Sequence, residues 1–393
     1  MRRVLFILHL PPPVHGAAMV GKYIHDSALM KAAFERHFIN LATASGLEDI
    51  GRFKVRKIVS FFGLLWRVFR QVRVFKPELV YITPNAKGGA FYKDFVVVML
   101  LKALGCKVVA HYHNKGVASR QDRALDDFLY RRFFKRLKVI LLSERLYPDV
   151  QKYVKKGDVF VCPNGIPVSE GSGGSQRGDG VPRLLFLSNL LVEKGVLVLL
   201  DALKILKEKG CSFVCDLIGG ETAEMDADRL AQELKARDIG DVVSYGGKRY
   251  GSDKAACLEK ADIFVFPTFY RNECFPLVLL EAMQYGLPIV TTDEGGIADI
   301  VQDGENGLIC EKNNPEDLAE KIRLLLSDPA RRSRMGQNGF TRFKSHFTLT
   351  HFEQRLTSIL QTVGDGSFLF DSLSWRFVKQ KRTVPNCLKA ESR

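Results

Sequence analysis

The feature that most limits the fold is an alternation repeated along the whole chain. A short apolar run rich in β-branched or aromatic residues leads into a Gly- or Pro-containing loop, and the loop into a stretch of helical period. Residues 4–10, 78–83, 107–112, 139–143 and 159–163 are such runs in the first half, and 184–187, 213–218, 242–245, 263–266 and 289–291 in the second. Strands separated by helices pair in parallel, so the pattern predicts doubly wound α/β sheets. Residues 169–182, SEGSGGSQRGDGVP, break the alternation with a Gly- and Ser-rich polar stretch, the composition of a linker. Two Rossmann-like domains are expected, over 1–167 and 183–345, joined by residues 168–182. A last amphipathic helix over 346–363 is expected to return to the first domain, and residues 364–393 fit no clear element. The length of 393 residues suits two domains of ordinary size.

Charge divides the same way. Residues 1–170 carry 29 Lys and Arg against 13 Asp and Glu, whereas residues 171–393 carry 29 against 31. The halves therefore meet different partners. The eight cysteines lack any C-x-x-C pair or His-Cys cluster, which points to reduced thiols in a cytoplasmic protein rather than a disulfide frame or zinc site. The apolar run at 4–10 is short and ends in Pro11-Pro12-Pro13, so it reads as a first strand rather than a signal peptide. No run is long enough to span a membrane.

The most informative stretch is 271–296, RNECFPLVLLEAMQYGLPIVTTDEGG. Residues 263–266 end a buried strand, 268–274 form a loop, and Pro276 fits the first turn of a helix that Gly286 caps. Glu273 then lies in the loop before a helix N-terminus, and Glu281 inside the helix. Free backbone N–H groups and the positive dipole end lie between them, suiting an anionic or hydroxyl-rich ligand. A carboxylate accepts both hydrogen bonds of a vicinal diol. On these residues alone, a solvated helix cap plus a helix-face Glu fits as well.

Other candidates are single residues. Gly16 follows the first strand in a turn that is not G-x-G-x-x-G, and lets a ligand near the backbone or merely serves the turn. The strand at 107–112 delivers His111 and His113 to the carboxyl end of the sheet on one shared face, as catalytic or as structural residues. Lys194 precedes a helix N-terminus, as part of an anion site or as a surface Lys. Residues 52–76 hold eight Lys and Arg, no acid, and many aromatics. This is either a basic amphipathic helix lying on an anionic membrane or a core helix with a basic outer face. No nucleic-acid motif accompanies the charge. Asp226 and Asp228 spell D-x-D at a helix start and read as surface.

The run from Glu273 to Glu281 and the following PLVLLEAMQYGLPIVTTDEGGIADIVQDGENGLI resemble the retaining glycosyltransferases of the GT-B fold, family 4. Weaker likeness comes from PPPVHGA in the first loop, His113, Pro163-Asn164-Gly165 and Glu193-Lys194-Gly195. The resemblance covers residues 3–360 and implies two Rossmann-like domains facing each other across a cleft. It implies His113, Glu273 and Lys194 as catalytic residues, with Glu273 at the donor sugar and Lys194 neutralising the diphosphate leaving group. It implies donor contacts from Gly16, Asn189, Phe275, Leu277 and Glu281, the last on the ribose. No metal cofactor is implied, and the donor is a UDP- or GDP-linked sugar. A lipid-linked saccharide acceptor, cell-surface polysaccharide assembly, and a cytoplasmic or peripheral place at an anionic membrane surface complete the expectation. The pattern departs at Asn189, where the family commonly has Arg, which puts the diphosphate clamp in question unless a base such as Arg249 substitutes. It departs too at His15-Gly16, Pro276 and Asp299. A nucleotide-sugar epimerase on the same fold and a non-catalytic nucleotide-sugar-binding protein remain alternatives.

Overall fold

The computed structural model describes residues 1–12, 16–41, 55–169 and 180–365. His15, most of the linker and the C-terminal tail lie outside them. Six strands form a parallel sheet: β1 (Arg2–Leu8), β2 (Phe34–Asn40), β3 (Leu79–Ile82), β4 (Val108–His111), β5 (Lys138–Leu141) and β6 (Val159–Val161), in the order β2-β1-β3-β4-β5-β6. Six more form a second: β7 (Arg183–Leu187), β8 (Val214–Ile218), β9 (Val243–Tyr245), β10 (Ile263–Phe266), β11 (Ile289–Thr291) and β12 (Gly307–Ile309), in the order β12-β11-β10-β7-β8-β9. Every pairing is parallel, so within each sheet consecutive strands are joined by a crossover, which carries an α-helix everywhere except between β5 and β6, where short 3-10 turns make the connection.

The first sheet is covered on both faces, as a buried parallel sheet requires. Leu5, Ile7, Val80 and Ile82 point toward the helices Val55–Phe75, Gly88–Ala103 and Ala124–Phe134. Val4, Phe6, Leu79 and Tyr81 point to the opposite face, where Val20, Ile24, Phe352 and Leu356 pack. Phe352 and Leu356 belong to the helix Leu349–Asp365, so the end of the described chain lies against the first sheet. A bridge from Ile166 to Thr348 ties this return to the end of the first domain. Gly165 permits it, because a Cβ there would stand 2.3 Å from the Thr348 carbonyl.

The structure departs from the sequence reading in several places. The segment after the first strand, whose pattern predicts one helix from about Met19 to Met30, forms two: Gly16–Asp26, then Ala28–Ala33, with the Ser27 hydroxyl accepting from the Met30 N–H at the new start. The strand β2 was absent from the expectation. Its sequence FERHFIN buries only Phe34 and Ile39, because it is an edge strand, and no apolar run marks it. Between β4 and β5, where the basic pattern over 120–138 predicts one helix, the helix is Ala124–Phe134, preceded by a short turn. Pro276 stands just before its helix, Leu277–Gln284, in an extended conformation rather than inside the first turn. Asp226 caps the helix Ala227–Ala236, its carboxylate accepting from the Arg229 N–H.

Candidate functional site

The order of the second sheet reverses between β7 and β10, which are neighbours although far apart in sequence. Ligands of open α/β sheets bind outside the carboxyl ends of the strands at such a reversal. The loop leaving β7 ends in the tight turn Val192–Lys194 and Gly195, at φ 86°. A Cβ on Gly195 would stand 2.1 Å from the Pro267 carbonyl, so only glycine lets this loop settle on the one leaving β10. The Phe269 N–H donates to the Glu193 carbonyl at 2.9 Å. This contact brings the Lys194 ammonium onto the Glu273 carboxylate in a largely buried ion pair. The same Nζ lies 4.7 Å from the Tyr270 ring centre and 5.4 Å from that of Phe266.

Glu281 lies in the second turn of the helix Leu277–Gln284. Its Oε1 accepts from Lys254 Nζ at 2.7 Å, while its buried Oε2 has no hydrogen-bond partner among the described residues. A buried acceptor left unpaired is costly, and a ligand hydroxyl would satisfy it. Tyr23, on the first-domain helix Gly16–Asp26, faces this carboxylate: burial, with the charge of Glu281, raises its phenol above the ordinary value.

Gly295 and Gly296 fix the backbone between the two glutamates. A Cβ on Gly295, at φ 59°, would meet the Glu273 carbonyl at 2.3 Å, and one on Gly296 the Cys274 carbonyl at 2.7 Å and Ser143 of the first domain at 2.8 Å. The segment DEGG is thus a wedge between the Glu273 loop and the first domain. Phe275 is buried and edge-on to Phe347, its carbonyl accepting from Asn164 Nδ2 at 3.2 Å. Leu277 touches the cores of both domains.

The opposing wall comes from β4. His111 is fully buried, its Nδ1 2.7 Å from the Tyr81 hydroxyl. Burial, with His113 beside it, pushes its imidazole well below the ordinary value, so it stays neutral. The His113 ring sits 4.3 Å from that of His111, so both share a face as the alternation predicts, and His113 is the more accessible. The chain that follows is pinned by Asp149, which accepts from the N–H groups of Gly116, Val117 and Ala118. That pinning delivers Lys115 to Glu294 of the second domain. Lys312 also reaches Glu294, at 3.1 Å. Burial opposes ionisation of Glu294, yet Lys115 and Lys312 together hold its carboxyl below the ordinary value. Neither Lys115 nor Glu294 was singled out in the sequence, since nothing local marks two charged residues 179 positions apart.

Gly16 opens its helix at the surface with nothing within 4 Å of a built Cβ, so the space above it is open. The close approach in this region belongs to Gly21, whose Cβ would stand 2.0 Å from the His9 carbonyl. Asn189 is exposed, its Oδ1 accepting from the Gly220 N–H at 3.2 Å. Lys248 and Asn189 both border Gly220: a Cβ there would lie 2.1 Å from Lys248 Cε and 3.1 Å from Asn189 Oδ1. A hollow of about 540 Å³ beside Val72, Lys76, Ala103 and Cys106 lies at the amino edge of the first sheet, the end opposite the cleft.

Residues 172–342 match the family of glycosyl transferases, group 1. A capsular polysaccharide biosynthesis glycosyltransferase of Staphylococcus aureus is 29% identical over 45% of this chain and 45% of its own. The chain spans about half the length of the curated relatives it matches. Among solved structures, the sucrose-phosphate synthase of Thermosynechococcus elongatus superposes with a TM-score of 0.74 at 18% identity, over 93% of this chain and 100% of its own. HepE of Anabaena, in complex with UDP, does so with a TM-score of 0.70 at 17% identity, over 92% and 100%. The fold is GT-B, two Rossmann-like domains across a cleft.

Proposed function

We propose that this chain, whose second domain is that of the group 1 glycosyl transferases, moves a sugar from a nucleotide-diphosphate donor to an acceptor hydroxyl with retention at the anomeric carbon. The observation that carries the reading is the buried Lys194–Glu273 pair at the reversal point of the second sheet, together with the buried Oε2 of Glu281, which has no hydrogen-bond partner among the described residues. The nucleotide ribose takes that oxygen. The donor diphosphate displaces Glu273 from Lys194, and the ammonium then faces the oxygen on which charge grows as the C1–O bond breaks. Glu273, released, turns to the sugar. Backbone groups of Phe275 and Leu277 hold the donor, Gly16 admits its phosphates from the first domain, and His113 lines the opposite wall. The acceptor oxygen bonds C1, and the proton it gives up balances the charge leaving on the diphosphate. Lysines do the work of a metal, so chelators leave the rate unchanged.

The donor is a UDP- or GDP-sugar, and the acceptor is a lipid-linked saccharide of a cell-surface polysaccharide, used at the cytoplasmic face. The likeness to the capsular polysaccharide biosynthesis glycosyltransferase of Staphylococcus aureus and the UDP complex of the structural neighbour support these choices. The test is transfer of label from UDP- and GDP-sugars into a lipid extract. Wild type incorporates label from one nucleotide class, with the donor's anomeric configuration in the product by NMR, and Glu273→Gln incorporates it at least about a hundredfold more slowly. Incorporation with inversion, or undiminished in Glu273→Gln, contradicts the reading.

A further inference from the structure

The segment after β11, Asp293-Glu294-Gly295-Gly296-Ile297-Ala298-Asp299, meets the first domain at both of its ends. At the near end Glu294 accepts from Lys115. At the far end Asp299 accepts from the Ser143 hydroxyl and, at 3.1 Å, from Arg145 Nε. Lys115 and Ser143 follow the carboxyl ends of β4 and β5, which are neighbours in the first sheet. The chain behind Lys115 is fixed twice. Asp149 holds the three amides that follow, and the Lys87 stem fills the space over Gly116, where a Cβ would stand 2.5 Å from Lys87 Cδ. A carboxylate is buried only at a cost unless it is paired. Glu294 is 8% exposed, and both of its oxygens are engaged. Its Oε1 accepts from Lys115 and, at 3.2 Å, from the Gly295 N–H, while Oε2 accepts from Lys312 at 3.1 Å. One lysine thus comes from each domain.

The middle of the segment meets the Glu273 loop. Gly295 packs so closely on the Glu273 carbonyl that no Cβ fits between them, and the Gly296 N–H donates to the Cys274 carbonyl at 2.7 Å. Three contacts therefore run from Lys115 of the first domain, through the Glu294 carboxylate and the Gly295 peptide, to the backbone of Glu273. Lys312 neutralises the same carboxylate from within the second domain and joins nothing to the first. The seat of the backbone matters because the Glu273 side chain is tied to Lys194, and a donor diphosphate that takes Lys194 cuts that tie. The Glu273 carboxylate is then aimed by its backbone, whose own turn contributes the bond from the Glu273 N–H to the Tyr270 carbonyl at 2.8 Å. A reacting group misplaced by about 1 Å can lose about a hundredfold in rate.

We propose that Lys115 and Glu294 are positioning residues, through which contact between the domains seats the backbone of Glu273 and so aims its carboxylate. The proposal rests on the sugar-transfer reading of the cleft, and one of its two tests needs no turnover. Lys115→Met removes the first domain's hold on Glu294 and leaves Lys312. Lys312→Met removes the second domain's own counter-charge and leaves Lys115. Ser143 and Arg145 still join the domains in both variants. Hydrogen exchange is read by mass spectrometry on peptides covering 271–280 and 293–300. Both peptides exchange faster in Lys115→Met, with the rest of the first domain as in wild type. Lys312→Met stays closer to wild type than to Lys115→Met, and Lys115→Arg restores wild-type exchange. In the transfer assay kcat of Lys115→Met falls about tenfold to a hundredfold. Donor KM stays near wild type, because Lys194 and Glu281 still hold the nucleotide, and Lys115→Arg recovers the rate. Equal effects of Lys115→Met and Lys312→Met overturn the proposal, since Glu294 would then act within the second domain alone. Unchanged exchange over 271–280 in Lys115→Met overturns it too, as does exchange that rises alike through both domains. The expected exchange in a protein that transfers sugar from no donor supports the seating of Glu273 and contradicts the sugar-transfer reading instead.

Discussion

The two domains use one architecture and put their chemistry in different places. Both are six-stranded parallel sheets with a reversal of strand order, between β1 and β3 in the first and between β7 and β10 in the second. In the second, the loops at the reversal converge into a charged site, Lys194 on Glu273, with Glu281 one helix away. In the first, the same position holds His9 beside Thr83, with His111 and His113 on the neighbouring strand, and the excess positive charge lies instead on the outer helices. The second domain keeps its exposed surface polar: Tyr250 is its only large exposed hydrophobic among the described residues. Similar sheets thus carry a largely buried ion pair at the reversal in one case and a basic apolar surface in the other. The difference lies in loops and outward helix faces, which the sheet does not constrain.

The sharpest way to break this comparison is to disable the second site alone. In Glu273→Gln, turnover falls about a hundredfold to a thousandfold, the usual loss for a group that acts on developing charge. Hydrogen exchange through the first sheet is unchanged. Steady-state transfer and exchange on one preparation check both statements. Faster exchange in the first sheet would mean that the domains do not divide the work.

A smaller effect separates the glycines. Gly295→Ala forces a Cβ to 2.3 Å from the Glu273 carbonyl at positive φ, and lowers unfolding stability by about 2 kcal/mol or more. Gly16→Ala meets nothing, so it leaves stability unchanged and weakens donor binding only. Urea unfolding with and without nucleotide distinguishes the two.

The smallest effect is in acid stability, and each region has its own limb. Burial keeps His111 neutral in the folded protein, so the unfolded chain takes up protons first, and stability falls as pH drops through the ordinary value of 6.5. Glu294 behaves at lower pH. Its folded value is below the ordinary 4.5, so its contribution is complete above that pH and is lost as pH falls through the lowered value. His111→Gln shrinks the first limb, to which the half-buried His346 also contributes, and Glu294→Gln shrinks the second, to which Asp26, Asp127 and Asp241 also contribute. Unfolding free energy measured across pH reads both.

Much of this was legible in the sequence, and the residues show where legibility ends. The buried strands β3, β4, β5, β7 and β10 are short apolar runs, so pattern alone finds them. β2 is half polar because it is an edge, and pattern does not find it. Glu273 and Glu281 were visible because one loop and one helix fix their spacing. Lys115 and Glu294, Tyr23 facing Glu281, and Lys248 lying over Gly220 were not, because each depends on tertiary approach between segments that carry no local mark. The basic helix in the first half was legible as a charge run. That two further helices extend its exposed face is a property of the sheet order.

The most direct test of the central claim, that the reversal point of the second sheet is the nucleotide site, is titration calorimetry of UDP and GDP against wild type, Lys194→Ala and Glu281→Ala. One of the two nucleotides binds wild type, and its affinity falls by at least about tenfold in each variant, the cost of losing a charged hydrogen bond. Undiminished binding to both variants would place the nucleotide elsewhere and contradict the account.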